Sequence, residues 1–368
     1  MRNVVVYGPG ADEALPRFLL EGATVPCAVV DGPAPAFDPS APEHASHVLV
    51  KKRGFSVNYR DRALILSMVV RAPYGSYYPV GSDFVGEVVA TGPAVRSLAP
   101  GDRVIGNAAY PASGAPGVRP GVPVNSASRE LQVFHEVKVA KVPDTMSDEV
   151  AACFTIGAQT SFSMVRRLRL QAGERVLVTA GSSNTSLFAI HALANQPVTT
   201  SVITTSARHV ERLRALGVAE VILLDRGRPS WTDQPAMRQV LEDAGPFDAV
   251  IDPFFDINLG PATEVMRPGG RYISCGMLDQ HTHLGIGTTV GAGPAPVAVM
   301  LRLLMGNLEI LGNCIGTDAD LRAAIDAHAA GRYPVVMDRT FSGRDAAAFF
   351  DRSYNAPDRF GKVAFIYD

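Results

Sequence analysis

The chain has no run of about 18 or more apolar residues, the length a membrane-spanning helix requires, so no membrane partner is expected. It has only four cysteines, Cys27, Cys153, Cys275 and Cys314, widely spaced and with no C-x-x-C pair. That spacing argues against a disulfide framework or a zinc knuckle, and it makes a reducing cytoplasm the expected compartment. The opening residues MRNVVVYGPG lack the apolar stretch and cleavage site of a signal peptide. Excess charge of one sign is lacking too. With 34 basic and 36 acidic residues and a formal net charge of -2, nothing points to nucleic acid or an anionic surface as partner. No internal repeat at a solenoid period is present.

What is present is globular. The chain has 368 residues, 47% hydrophobic and 19% charged, which suits two domains better than one core. Residues 1–140 read as all-β, with short apolar runs (NVVVY, HVLVKKR, FVGEVVATG, GDRVIG, LQVFHEVKVAKV) between Gly and Pro turns. Ala108–Asn125 is a loop rich in Pro and Gly without cysteine. Ser147–Leu170 has helical spacing. Strands and helices then alternate: RVLVTA, LFAIHALA, TSVITT, ARHVERLRALG, VILLD, FDAVIDPFF and RYISCGM. Such alternation predicts an α/β, doubly wound parallel sheet. From about Thr317 the pattern is helix, strand, helix and a closing strand KVAFIY.

The most informative stretch is VLVTAGSSNTSLFAIHALA, Val176–Ala194. A buried strand enters a turn of small residues and then an apolar helix, the geometry that presents free N–H groups to a pyrophosphate. Gly181, Ser182, Ser183, Asn184 and Thr185 are the candidate phosphate cradle. The G-x-G-x-x-G pattern is degraded, with Ser183 and Ser186 where glycines are expected. The alternative is a plain strand–turn–helix unit. After the second strand an NAD-specific protein usually carries an acid for the ribose 2′-OH. Here Thr204, Thr205, Ser206 and Arg208 stand there, which favours NADPH; the alternative leaves Arg208 as a solvated helix residue. A second glycine pattern, Gly285–Gly291, is followed by Pro294 and Pro296 where a helix should begin, and reads as a surface loop.

SVNYRD (Ser56–Asp61), PVGSDFVGEVVATGPAV (Pro79–Val95), PGDRVIG (Pro100–Gly106), QAGERVLVTAG (Gln171–Gly181), RLRALGVAEVI (Arg212–Ile222), PGGRYISCG (Pro268–Gly276) and FGKVAFIY (Phe360–Tyr367) occur in this order. Together they resemble the medium-chain dehydrogenase/reductase superfamily, nearest its zinc-independent quinone oxidoreductase and enoyl reductase branch. The resemblance implies a GroES-like β-rich catalytic domain from residues 1–152 and 314–368, and a Rossmann dinucleotide-binding domain from 153–313. It implies NADPH-dependent hydride transfer to an activated C=C bond of a small unsaturated substrate: an enone, quinone, enoyl thioester or conjugated polyene, with reductive cyclisation as a variant.

The same resemblance adds Thr160, Cys275 and Gly276 to the cofactor set and places Asn58 and Tyr59 at the nicotinamide. Where zinc enzymes of the superfamily hold their metal, this chain has Asn58, Ser82 and a position near Cys153, so no metal is expected. The H-x-H pair His281/His283 lacks a third ligand. Without metal a hydrogen-bond donor must polarise the substrate, and Tyr59 is the candidate. The apolar segment Pro296–Gly312 matches the place where related proteins join as homodimers. Metal-free carbonyl reduction, or a non-redox protein that has lost the dinucleotide site, are the alternatives.

Overall fold

A computed structural model describes residues 1–226, 230–278, 280 and 296–368. The Gly285–Gly291 and His281/His283 patterns lie outside the described residues. Strands β1 (Arg2–Tyr7), β2 (Arg17–Leu20), β3 (Ala23–Asp31) and β5 (Tyr77–Pro79) form a small antiparallel sheet in the order β2-β3-β1-β5. A larger sheet takes β4 (His47–Ser56), β6 (Asp83–Thr91), β7 (Arg103–Gly106), β8 (Leu131–His135) and β9 (Val139–Lys141). The closing strands β16 (Met337–Phe341) and β17 (Lys362–Ile366) join this sheet, β17 pairing antiparallel with β4 through Phe365 and Phe55. The two ends of the sequence therefore share one sheet.

Between them the six strands β10 (Arg175–Val178), β11 (Thr199–Thr204), β12 (Glu220–Leu223), β13 (Phe247–Asp252), β14 (Met266–Ser274) and β15 (Glu309–Gly312) form a wholly parallel sheet. Their order is β12-β11-β10-β13-β14-β15, so the chain reverses direction across the sheet between β10 and β13. A ligand crevice opens at the carboxyl ends of the strands at such a reversal. The α/β doubly wound expectation therefore holds.

One expectation is corrected. The first 140 residues are not all-β, because α1 (Tyr59–Arg71) interrupts them. Asp61 starts this helix by accepting from the Asn58 amide at 2.8 Å, and Ala63, Ile65 and Leu66 form its buried side. The helical stretch after Ser147 is two helices, α2 (Asp148–Ala151) and α3 (Thr155–Leu168). Helix α4 (Asn184–Leu193) packs on α3 at Gly157, where a Cβ would lie 2.3 Å from the Phe188 ring; only glycine lets the two approach so closely.

The remaining helices are α5 (Val210–Arg214), α6 (Pro235–Ala244), α7 (Phe255–Glu264), α8 (Pro296–Gly306), α9 (Asp318–Ala329) and α10 (Ala346–Tyr354). Helix α10 docks on the mixed sheet through Phe349, whose ring centroid lies 5.3 Å from Phe55 and 5.6 Å from Phe365. Among the described residues no helix is long and apolar enough to cross a membrane.

Candidate active site

A cleft of about 430 Å³ opens between the carboxyl ends of the parallel strands and the start of α1. It brings together eight residues expected from sequence: Asn58, Tyr59, Thr160, Ser183, Asn184, Thr185, Cys275 and Gly276. Gly181 and Ser182 do not line it. Gly181 is buried behind the turn, where a Cβ would fall 2.2 Å from Val202 and 3.1 Å from the Ile203 carbonyl. That contact, and not ligand approach, explains the glycine. Thr204, Thr205, Ser206 and Arg208 lie off the cleft at the end of β11.

The serines that replace glycines support the turn. Ser183 is the N-cap of α4, its Oγ accepting from the Ser186 amide at 3.2 Å and donating to Ser186 Oγ at 2.9 Å. Ser186 Oγ donates in turn to the Thr179 carbonyl at 2.7 Å. Asn184 and Thr185 then open the helix, where backbone N–H groups have no intrahelical acceptor. Arg359 reaches the same point from the carboxyl-terminal segment, donating from Nη1 to Asn184 Oδ1 at 3.1 Å. A half-buried cation beside a helix N-terminus fits a diphosphate. Sequence reading missed Arg359; the only sign was a cation directly ahead of the closing FGK motif.

At the base of the cleft Asp252 ends β13 fully buried. Its carboxyl accepts from Thr179, Tyr272, Asn258 and the Phe254 amide, so it ties β10, β13 and β14 together. Burial pushes this carboxyl up from the usual range, against those four hydrogen bonds.

Across the cleft, Asn58 and Ser82 belong to a hydrogen-bonded network. Asn58 donates from Nδ2 to Asp83 Oδ2 at 2.7 Å and to Ser82 Oγ at 3.1 Å, and its Oδ1 accepts from Lys362 Nζ at 2.9 Å. Ser82 donates to Asp61 at 2.7 Å. Lys362 and Asp83 form an ion pair at 3.4 Å, the two side chains 2% and 0% exposed. With both amide donors engaged, Asn58 has none left for a substrate. The Cys153 thiol lies in the core 3.7 Å from the Val363 carbonyl, and burial pushes it up to about 11. Among the described residues no cluster of three or more His, Cys, Asp or Glu could hold a metal ion.

Tyr59 is the first residue of α1 and lines the cleft. Its hydroxyl donates to the Leu278 carbonyl at 2.8 Å, its ring meets Phe254 edge-on at 5.3 Å, and the Arg62 guanidinium lies 4.0 Å from its centroid. Cys275 is half-buried in the same wall, its thiol pushed up to about 12 by desolvation, so it is no nucleophile at neutral pH. Gln159 turns away from the cleft to hold the backbone at Ala108, Gly316 and Thr317. Ile315, also in the wall, has φ 53°, a strained geometry for a β-branched residue.

Residues 44–144 match the model of the alcohol dehydrogenase GroES-like domain. A crystal structure of an NAD-dependent alcohol dehydrogenase superposes over 100% of this chain and 99% of its own, with TM-score 0.76 and 23% identity. The chain thus has a GroES-like match at residues 44–144 and shares the fold of that dehydrogenase over its whole length. Another structure of the same fold, a crotonyl-CoA carboxylase/reductase in complex with NADP, covers 100% of this chain and 94% of its own at TM-score 0.76 and 20% identity.

Among curated relatives, a spectinabilin polyketide synthase system protein of Streptomyces orinoci is 29% identical over 75% of this chain. The match spans only 12% of that synthase protein's length. The acryloyl-coenzyme A reductase of Metallosphaera sedula is 27% identical over 80% of this chain and 85% of its own.

The buried pair gives a direct test. Replacing Lys362 with Met removes one partner and leaves the Asp83 carboxylate uncompensated. Breaking a buried pair in this way costs about 3–5 kcal/mol. Lys362→Met should lower the denaturation midpoint accordingly, while the double variant Lys362→Met/Asp83→Leu should recover much of the loss. A single variant as stable as the wild type contradicts the network.

Proposed function

We propose that this chain is an oxidoreductase that uses NADPH to reduce an activated C=C bond. One observation carries the reading: a single cleft joins a diphosphate-type cradle (Ser183, Asn184, Thr185 and Arg359) to a phenol, Tyr59, with an apolar wall between them. Bound NADPH would supply the hydride. Arg359 and the opening of α4 would hold the diphosphate, and Thr160, Cys275 and Gly276 would border the nicotinamide. The acceptor we favour is an α,β-unsaturated thioester, the type of compound named in the acryloyl-coenzyme A reductase relative. Residues 153–313 would form the dinucleotide domain, and 1–152 with 314–368 its partner, as the sharing of one sheet by both chain ends supports.

We also infer that no zinc takes part. Asn58 and Ser82 offer an amide and a hydroxyl already bound to carboxylates, and the Cys153 thiol faces a backbone carbonyl. Neutral oxygen and nitrogen donors of that kind do not make a zinc site. The test is NADPH consumption with enoyl thioesters, enones and quinones as acceptors, with and without chelator. Turnover indifferent to chelator is expected. No turnover with any acceptor overturns the reductase reading, and activity lost to chelator and restored by zinc overturns its metal-free part.

Hydride addition to a conjugated carbonyl leaves negative charge on oxygen. Since Asn58 has its donors engaged, the donor we assign to that charge is Tyr59, by exchanging its bond to Leu278 for one to the substrate. Tyr59→Phe keeps the ring against Phe254 and Arg62 and removes only the hydroxyl. Loss of one such donor costs about a hundredfold in turnover. We expect that loss in kcat with NADPH affinity unchanged; a drop below about threefold makes Tyr59 a wall residue.

A homodimer completes the proposal. Strand β15 is an edge of the parallel sheet, and α8 beside it exposes Val297, Met300, Leu301, Leu304 and Met305. An open edge flanked by apolar side chains is satisfied by the same edge of a second copy. Light scattering at micromolar concentration should give twice the chain mass, and Leu304→Glu/Met305→Glu should reduce it to the chain mass. A wild-type monomer mass refutes the dimer.

A further inference from the structure

The first turn of α1 carries two side chains that converge on one residue just beyond β14. Tyr59 and Arg62 stand three residues apart, a spacing that puts them on the same face of the helix. Tyr59 Oη donates to the Leu278 carbonyl at 2.8 Å, and Arg62 Nη2 donates to the same oxygen at 2.7 Å. The Leu278 amide donates in turn to Asp256 Oδ1 at 2.8 Å, so this residue is also held from the side of the parallel sheet. The Arg62 guanidinium lies over the Tyr59 ring, 4.0 Å from its centroid, and its Nη1 pairs with Glu21. Glu21 opens the two-residue turn between β2 and β3, with φ 48° followed by 80° at Gly22. Turns with two positive φ values favour Asn, Asp or Gly there, and a glutamate is strained. The strained residue is the one whose carboxylate reaches Arg62, whose side chain is only 10% exposed.

We propose that Arg62 is a positioning residue for the hydrogen bond that Tyr59 gives to the substrate oxygen. This rests on the reading of the chain as a reductase with Tyr59 as its donor. Two effects of the geometry carry it. When the Tyr59 hydroxyl leaves Leu278 for the substrate, the Leu278 carbonyl keeps the Arg62 donor, so the exchange strands no acceptor. A hydrogen bond given to an anionic oxygen also draws electron density onto the donor's own ring, and a guanidinium over the ring face stabilises that density. The residue type matters. A planar fork offers one edge to Glu21, another to Leu278 and its face to the ring, whereas an ammonium cannot serve all three. Arg62 acts through Tyr59 and needs no contact with substrate or cofactor.

The experiment is a double-mutant cycle of wild type, Arg62→Met, Tyr59→Phe and the two substitutions combined. Each protein is assayed for kcat and KM with NADPH and whichever enoyl thioester, enone or quinone the wild type reduces fastest. Arg62→Met keeps the side-chain length and removes the charge. Its kcat is expected to fall about tenfold, the scale of a desolvated cation–π contact, with KM for NADPH unchanged. In the Tyr59→Phe background the same substitution should change kcat by less than about twofold, because the hydroxyl it acts through is gone. Arg62→Lys should recover part of the lost kcat, since it restores the cation without the fork. Unchanged turnover in Arg62→Met overturns the positioning role. So does an equal loss in both backgrounds together with a lowered melting temperature, which makes Arg62 a structural tie. A fully active Tyr59→Phe overturns Tyr59 as donor and Arg62 with it, and a wild type that reduces none of the acceptors overturns the reductase reading and both roles.

Discussion

The structure depends on a buried lysine. Lys362 sits at the start of the last strand, yet its ammonium reaches Asp83 on β6 and Asn58 at the start of α1. The other oxygen of Asp83 accepts from the Ile156 amide at the beginning of α3. One charged pair therefore joins both ends of the sequence to the helix that leads into the parallel sheet. Removing charges from water is costly, and only the full set of partners offsets that cost. The cleft keeps its shape because the elements around it are tied at this point: α1 carries Tyr59, α3 carries Thr160, and the segment before Lys362 carries Arg359.

The same network gathers its side chains around one charge, as a metal ion gathers three or four. Here Lys362 is the central charge, and Asn58 and Asp83 turn toward it. Ser82 and Asp61 complete the outer ring. Tyr59, the residue after Asn58, stands against Phe254.

Much of this was legible in the amino-acid order. The parallel strands announced themselves as β-branched runs ending in turns, and β10, β11, β12, β13 and β14 fall where the pattern put them. Helix α1 carried its own signal, since Asn58 followed three residues later by Asp61 is a capping pattern; the surrounding strand-like runs hid it. Helix α6 was similarly marked by Pro235 at its first turn and Gly245, at φ 77°, just after its end. Arg359 was not legible. It meets a residue distant in sequence, Asn184, and no local periodicity encodes such a meeting. Nor could sequence reveal that Asn58 spends its donors on Asp83 and Ser82, because that follows from which strands lie side by side.

The hydroxyl chain from Ser183 through Ser186 to the Thr179 carbonyl has a kinetic meaning. A turn of three glycines samples many shapes and must freeze when a diphosphate lands, which spends entropy on every encounter. Serines locked to one another hold the turn rigid beforehand. Under the proposed function a dinucleotide would then meet a finished mould, its association governed by access to the cleft and not by loop ordering. A ligand whose diphosphate does not match that mould cannot reshape it.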